Sequence, residues 1–325
     1  MITTATLNPI ATWFANLFMR VAGGFVSDGI FPEFPAPMQS ANYYVFGPGD
    51  AANVPLLVPR APGAPYQRIQ TKLGSDTYNC ENYGLEAPAP DEERKKYGAY
   101  FDLDKLKVNR ITDTIRVNNE LRAVGIINGL TTAAAIAIPW NDPASNPKGD
   151  LDAAKEAVRK SSGMRATTLV ISEPTFLVLQ YHPKLVDLFK FTTPGVLNEQ
   201  KLAAYFGLQE VLVAWNVQAT NNEGQVFTAS DIWGNMAFVA AVSRAQDLEV
   251  PTFGRRFHWT AFTSEVTTQD SSGPTMAAGG GGPELMQIFT YRDEGIKSDV
   301  HRGDNYVAEK VVAAGAGYRL DTCLA

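Results

Sequence analysis

Cysteine, histidine and net basic charge are what this chain has least of, and each shortage excludes a class of protein. Two cysteines, Cys80 and Cys323, stand far apart in 325 residues. They make neither a disulfide scaffold nor a zinc site, and they fit a reducing compartment. His182, His258 and His301 are the only histidines. None has a second ligand at helical or turn spacing, so no metal centre is expected. His182 precedes Pro183 at a helix break, where a locally satisfied hydrogen bond is the plainer reading. No G-x-S-x-G elbow occurs. Gly279 to Gly282 run into Pro283 and not into Lys-Ser/Thr, so a phosphate loop fails and a surface loop remains. With no acid/base or nucleophile constellation, the chain does not read as an enzyme and implies no cofactor. A formal charge of −6 and a pI near 5.2 exclude a basic nucleic-acid footprint. Arg255-Arg256, set between aromatics, therefore reads as a structural salt bridge. Arg302-Gly303-Asp304 spells an adhesion tripeptide, but three residues match by chance too often to count.

Long apolar runs are also scarce. The strongest, Ile10 to Val26, has no basic leader, carries Arg20 in its middle and is short for a bilayer. It reads as an amphipathic arm helix docking on protein, capped by Asn8 with Pro9 at its first position, and Ile10, Phe14, Leu17, Val21 and Phe25 on one face. A membrane-surface helix and a signal peptide are the weaker alternatives.

What is present is a core: 45% of the residues are hydrophobic, enough for two lobes or one large domain. The organising stretch is Gly149 to Ser172. Asp150 is expected to cap a helix over 150–162. Asp152 near its start and Arg159 and Lys160 near its end suit the helix dipole. Leu151, Ala154 and Val158 make a thin apolar stripe, so the helix lies on something. Gly163 suits the left-handed position that ends it. Thr167 to Ile171 then reads as a buried strand, and Pro174 opens a helix capped by Ser172 or Glu173 and broken near His182-Pro183.

Before this stretch the chain is irregular. Eight prolines between Pro32 and Pro65 forbid helices and interrupt sheets over residues 27 to 66. The large apolar residues there argue against disorder. The expectation is an extended arm ordered by neighbouring subunits. Tyr66 to Ala99 reads as a projecting hairpin or loop, with Gln67 to Lys72 as a short strand. Asp91-Glu92-Glu93 beside Arg94-Lys95-Lys96 is a solvated charged face that can pair across subunits. Candidate inter-subunit contacts are Phe14, Leu17, Phe31, Phe34, Tyr43, Tyr44 and Phe46 in the arm, and Arg60, Arg68, Tyr78, Tyr83, Glu92, Arg94 and Lys95 around the projection. Phe101 to Gly129 predicts one long helix whose two offset stripes, with Leu106, Val108, Ile111, Ile115, Val117, Leu121 and Val124, imply burial on two sides. Further on come a helix over 199–206, a strand over 211–220 turning at Asn221 to Gly224 into a partner over 225–228, and strands over 235–242, 253–262, 284–293, 306–312 and 318–323.

This order of parts, and its wording, resembles the major capsid proteins of tailed phages with the Hong Kong 97-type fold. FPEFPAPMQSANYYVFGPGD, RAPGAPYQR and SDTYNCENYGL look like that family's N-arm and E-loop. The passage ending in TTLVIS, followed by FLVLQYHPKLVDLFK, looks like its spine helix and the entry to its axial domain. IWGNMAFVAAV, PTFGRRFHW, YRDEGIKSDVHRGDNYVAEKVV and GYRLDTCL look like its C-terminal half. The resemblance implies an α+β fold: arm 1–65; E-loop 66–100; peripheral domain 101–172 and 252–296 with a spine helix at 150–162; axial domain 173–251 and 297–325. It implies a shell subunit in the virion, assembled in the host cytoplasm, whose main partner is itself in hexamers and pentamers. Scaffolding, portal and cement proteins are further implied partners, and the enclosed DNA is held without sequence-specific binding and without a membrane. A long scaffolding domain with coiled-coil heptads is missing ahead of the arm, so a separate scaffolding protein is implied, or none. Some members join a loop lysine to a neighbour's asparagine; Lys72, Lys95 and Lys96 lie in the matching region but read as solvated surface lysines. The alternatives are an encapsulin-like nanocompartment shell and, in another class, an enzyme with an unrecognised site. Deleting residues 1 to 60 is expected to leave a soluble core that forms no stable shell.

Overall fold

The computed structural model describes residues 6–7, 11, 24–46, 59–60, 62–63, 66, 68, 73–189, 197–221, 225–246, 250–260 and 286–325. The expected arm helix, the loop over 263–283 and the strand over 67–72 lie almost wholly outside these residues.

The early chain holds more structure than its prolines suggest. After β1 (Thr6–Leu7) come a helical turn α1 (Ser27–Ile30) and the strands β2 (Glu33–Ala36), β3 (Ser40–Phe46), β4 (Leu73–Asn79), β5 (Glu81–Asn82) and β6 (Leu85–Pro90). β3 and β4 pair antiparallel from Ser40 opposite Asn79 to Phe46 opposite Leu73. The projecting hairpin therefore starts inside the expected arm and ends at Asn79. Pro35, Pro88 and Pro90 are tolerated because β2 and β6 are edge strands, where a missing N–H costs no ladder bond.

The acidic-then-basic run forms a helix, α2 (Asp91–Tyr97), with three acids in its first turn and three bases in its last. The long helix α3 (Leu103–Asn128) starts at Asp102, whose carboxylate accepts the Asp104 and Lys105 N–H groups at 3.1 and 3.3 Å. The two-sided burial is present. Val108, Ile111 and Ile115 enter one apolar cluster with Met286 and Ile288. Ala123, Val124 and Ile127 enter the main core, with Val117 and Leu121 packed against it. Between those halves the buried face is polar: Arg116, Asn119 and Glu120. Leu106 is exposed.

β7 (Ala133–Ala135) leads to α4 (Pro147–Ser162), which begins three residues before the expected cap. Pro147 opens it because proline needs no N–H there. Asp150 sits inside the helix and accepts Trp140 Nε1–H at 2.9 Å. Leu151, Ala154 and Val158 are buried, and Gly163 ends the helix at φ 73°. Then come β8 (Thr168–Ser172), buried throughout, α5 (Glu173–Tyr181), α6 (Pro183–Phe189), α7 (Glu199–Phe206) and β9 (Glu210–Ala214). The expected strand over 211–220 is two: after Trp215-Asn216, β10 (Val217–Ala219) pairs instead with β11 (Ala229–Asp231). β12 (Ala237–Ala240), β13 (Gly254–Trp259), β14 (Gln287–Asp293), β15 (Ser298–Asp304), β16 (Tyr306–Val311) and β17 (Gly317–Asp321) complete the chain.

Three larger sheets result. One has the order β7-β17-β12-β8-β9, one β1-β14-β15-β6 and one β2-β13-β16-β5. α4 lies on the five-stranded sheet against β12 and β17, while α3 lies on β6 and β15. After residue 297, β15 and β16 pair with β14 and β13 in the four-stranded sheets, and β17 pairs with β12 in the five-stranded one.

Candidate assembly surfaces

The hairpin is rooted in its own chain. Tyr78 stacks on Phe257 with centroids 4.5 Å apart and planes 5° apart. Tyr43 lies 5.0 Å from the same ring, and Phe34 meets it edge-on at 5.5 Å. The Tyr43 hydroxyl donates to Asp76 Oδ2 at 3.1 Å, and burial together with that carboxylate pushes its pKa up. Cys80 closes the root; burial pushes its thiol up to about 11, so it is an inert core residue. The opposite face of the hairpin is exposed and uncharged: Ser40, Asn42, Tyr44, Leu73, Ser75, Thr77 and Asn79, with Tyr44 63% exposed in the middle.

A buried charge network stands where the lobes meet. Arg256 is 1% exposed and donates Nε–H to Glu309 Oε1 at 3.1 Å. It also pairs with Asp28 and donates Nη2–H to the Ser27 hydroxyl at 3.2 Å. Arg122 grips both Glu309 oxygens at 3.0 and 3.1 Å and covers the Tyr83 ring at 3.8 Å. The two guanidiniums hold the Glu309 carboxyl below its ordinary range despite burial. Glu120, fully buried, accepts the Ser27 N–H at 2.6 Å and Trp233 Nε1–H at 2.8 Å; burial raises its pKa. Arg255 donates to the Ala245 carbonyl at 2.6 Å. Both arginines are buried and engaged within the chain, as its net charge suggested. Glu120, Arg122 and Glu309 were missed, since charged residues in a helix or strand read as solvated when their partners stand 53 to 187 residues away, and Trp233 carried no signal of its own.

A second network fixes the α2–α3 corner. Arg94 donates to Asp299 at 2.6 Å and Asp104 at 2.7 Å, and Arg292 grips Asp91 at 2.5 and 2.8 Å. Asp104 also meets His301 Nε2 at 3.1 Å. Beside it Tyr100, Phe101 and Leu106 are exposed.

The candidate contacts divide accordingly. Phe31, Tyr43 and Tyr78 are buried in the chain's own core and have no area left for a neighbour. Arg94 is engaged within the chain, while Tyr83, though under Arg122, is 37% exposed. Phe34 is half-buried at the hairpin root. Tyr44, Glu92 and Lys95 are exposed, as are Arg60, whose guanidinium lies 4.2 Å from the Tyr66 ring, and Arg68. Phe14, Leu17 and the Phe46 side chain lie outside the described residues.

Among the described residues no group of three His, Cys, Asp or Glu is placed to hold a metal ion, and no helix is long and apolar enough to cross a membrane. An open hollow of about 470 Å³, lined by Asn82, Glu86, Arg302, Asp304 and Tyr306 among others, brings together no nucleophile and base. His182 meets the Ser145 hydroxyl at 3.1 Å.

No family model matches the chain. It is 25% identical over 177 residues to the major capsid protein of Burkholderia phage BcepMu, covering 52% of this chain and 56% of that one. It is 23% identical over 197 residues to the major capsid protein of Pseudomonas phage JBD67, covering 58% and 61%. The match thus spans less than two thirds of either relative. A crystal structure of a phage-related protein from Bordetella bronchiseptica RB50 superposes at a TM-score of 0.70 with 21% identity, over 99% of this chain and 98% of that one. The capsid of Cyanophage P-SCSP1u superposes at 0.53 with 8% identity, over 89% and 85%.

Proposed function

We propose that this chain, which has the α+β Hong Kong 97-type capsid fold, is the major capsid protein of a tailed phage. It forms the icosahedral head shell around double-stranded DNA by repeated contacts with copies of itself in hexamers and pentamers. The axial domain is the five-stranded sheet with α4 to α7. The peripheral domain is the pair of four-stranded sheets with α3 as its spine. The E-loop is the β3–β4 hairpin. Shells assemble in the host cytoplasm, with scaffolding, portal and cement proteins as further partners. The chain acts as a structural subunit and not as an enzyme.

The observation that carries this reading is the hairpin. Its inner face is anchored on Phe257, while its outer face offers, among the described side chains, an uncharged strip with Tyr44 exposed in the middle. Interface centres are depleted of charge and enriched in tyrosine. Thr77 and Asn79 add polar groups that a neighbour can satisfy. The acidic balance of the chain keeps the wall from adhering to the packaged polymer.

Electron microscopy of the protein, expressed alone and with its neighbouring genes, tests the reading. Closed shells or capsomer rings are expected. A monodisperse monomer under both conditions overturns it, and shells filled with protein cargo instead of DNA in the native particle place the chain among nanocompartments.

A further inference from the structure

The long helix α3 carries one lobe on each half. Its first half packs on Met286 and Ile288 beside the β14–β15 sheet, its last on the main core. Between them its buried face is Arg116, Asn119 and Glu120. Along this helix each half is satisfied by its own lobe, with a polar seam between. Beside the Phe238–Phe253 contact, 4.9 Å between centroids, a short segment crosses it. Residues 24–31 touch the five-stranded lobe, the helix and the peripheral sheets in turn.

Gly24, at φ +89°, lies against the Trp215 ring, and a Cβ there would run into it. Gly29 packs on Leu212 of β9 equally closely. Ser27 N–H is taken by Glu120 at the seam. Asp28 pairs with Arg256 of β13. Phe31 packs at 5.6 Å on Phe253 and closes over Gly254. The carbonyl of the next residue joins the ladder: Pro32 O accepts Arg256 N–H at 3.0 Å. Val26, Ile30 and Phe31 are buried, whereas the Asp28 side chain is 48% exposed. Four residues of helix are too few to hold this shape alone, so the shape depends on all three partners.

We propose that residues 24–31 are a strap that sets the angle between the two lobes. The strap runs directly into edge strand β2. Its consequence for shell geometry rests on the capsid reading; the strap itself does not.

The test uses the full soluble chain. Lys95 on α2 and Lys160 on α4 are exposed, one on each lobe, and Cys80 and Cys323 are buried. Spin labels on a K95C/K160C background report the distance between lobes. Wild type gives one narrow distribution. Gly24→Val drives a β-branched side chain into Trp215 and lifts the strap's start. Asp28→Asn weakens the Arg256 anchor from the exposed side and keeps the fold should Gly24→Val misfold. Both variants are expected to at least double the width of the distribution and to raise hydrogen exchange over 24–31 about tenfold, with β8 unchanged. Distances as narrow as wild type in both variants overturn the strap. Wild type that never assembles overturns the capsid reading instead, and leaves the distance result to decide the strap.

Discussion

Tyr78 lies flat on Phe257, 4.5 Å between centroids and 5° between planes, although 178 residues separate them along the chain. This single stack ties the projecting hairpin to the sheet behind it. Phe257→Ala removes the ring that Tyr43, Tyr78 and Phe34 share, and large-to-small core changes of this kind cost about 3–5 kcal/mol. Chemical denaturation is expected to show a loss in that range, and a loss below about 1 kcal/mol would place the hairpin root elsewhere.

Tyr44, one residue from Tyr43 and on the opposite face, is expected to behave in the reverse manner. Tyr44→Ala should leave subunit stability within about 0.5 kcal/mol yet cut the yield of closed particles. Unchanged particle yield would show that the outer face of the hairpin is not an interface.

The two charge networks differ in depth, and so should their deletions. Glu309→Ala leaves Arg256 and Arg122 facing an apolar gap, and breaking a buried pair costs about 3–5 kcal/mol. Arg94→Ala removes a pair whose side chains remain about one-third exposed, and exposed pairs contribute about 0–1 kcal/mol. Salt titration separates them further: the Arg94 network should weaken with ionic strength and the Glu309 network should not. Equal losses in the two variants would refute the ranking.

His258 is buried beside Arg256, and burial first, then that positive neighbour, hold its pKa down to about 4 from 6.5. A base depressed in the folded state binds fewer protons there than in the unfolded chain. Its stability is whole above pH 6.5 and falls as pH drops toward 4, by about 3 kcal/mol in all. His258→Leu should flatten this part of the curve of denaturation midpoint against pH. A slope between pH 6.5 and 4 as steep as in wild type would assign it to other groups.

Gly163 is a case of backbone demand without crowding. Nothing lies within 4 Å of a Cβ built on it, but its φ is +73°. Gly163→Val should therefore cost only backbone strain, on the order of 1–2 kcal/mol. Gly163→Asn should cost less, as asparagine tolerates that region. Thermal melts that rank the two the other way would refute the left-handed turn.

Elements that carry their own end signals could be read in the sequence. α7 runs from Glu199 to Phe206 as expected because Asn198 accepts the Lys201 N–H at 3.0 Å and Gly207 turns left-handed at φ 66°. The buried strand after Gly163 was legible from its unbroken β-branched and apolar run. β2 and β3 were not, because their prolines and polar residues make sense only once β13 and β4 supply partners from far along the chain. β15 was hidden by its buried His301 and Asp304, which a pattern reading takes for surface. The expected truncation also changes meaning. Residues 1 to 60 include Val26, Ile30, Phe31, Ala36 and Tyr43, all buried. Their deletion should unfold the subunit, so only a cut before Gly24 tests the arm alone.

The placement of Glu120 gives the long helix unequal arms. From the seam to Leu103 is 17 residues, about 26 Å, and from the seam to Asn128 is eight, about 12 Å. A rigid rod pivoting there by about 5° would carry its far end roughly 2 Å while the near end moves about 1 Å. Settling within the large core would thus be delivered at twice the size to the sheet that bears β6, β14 and β15. Pivoting at Glu120, the helix would be a lever of unequal arms.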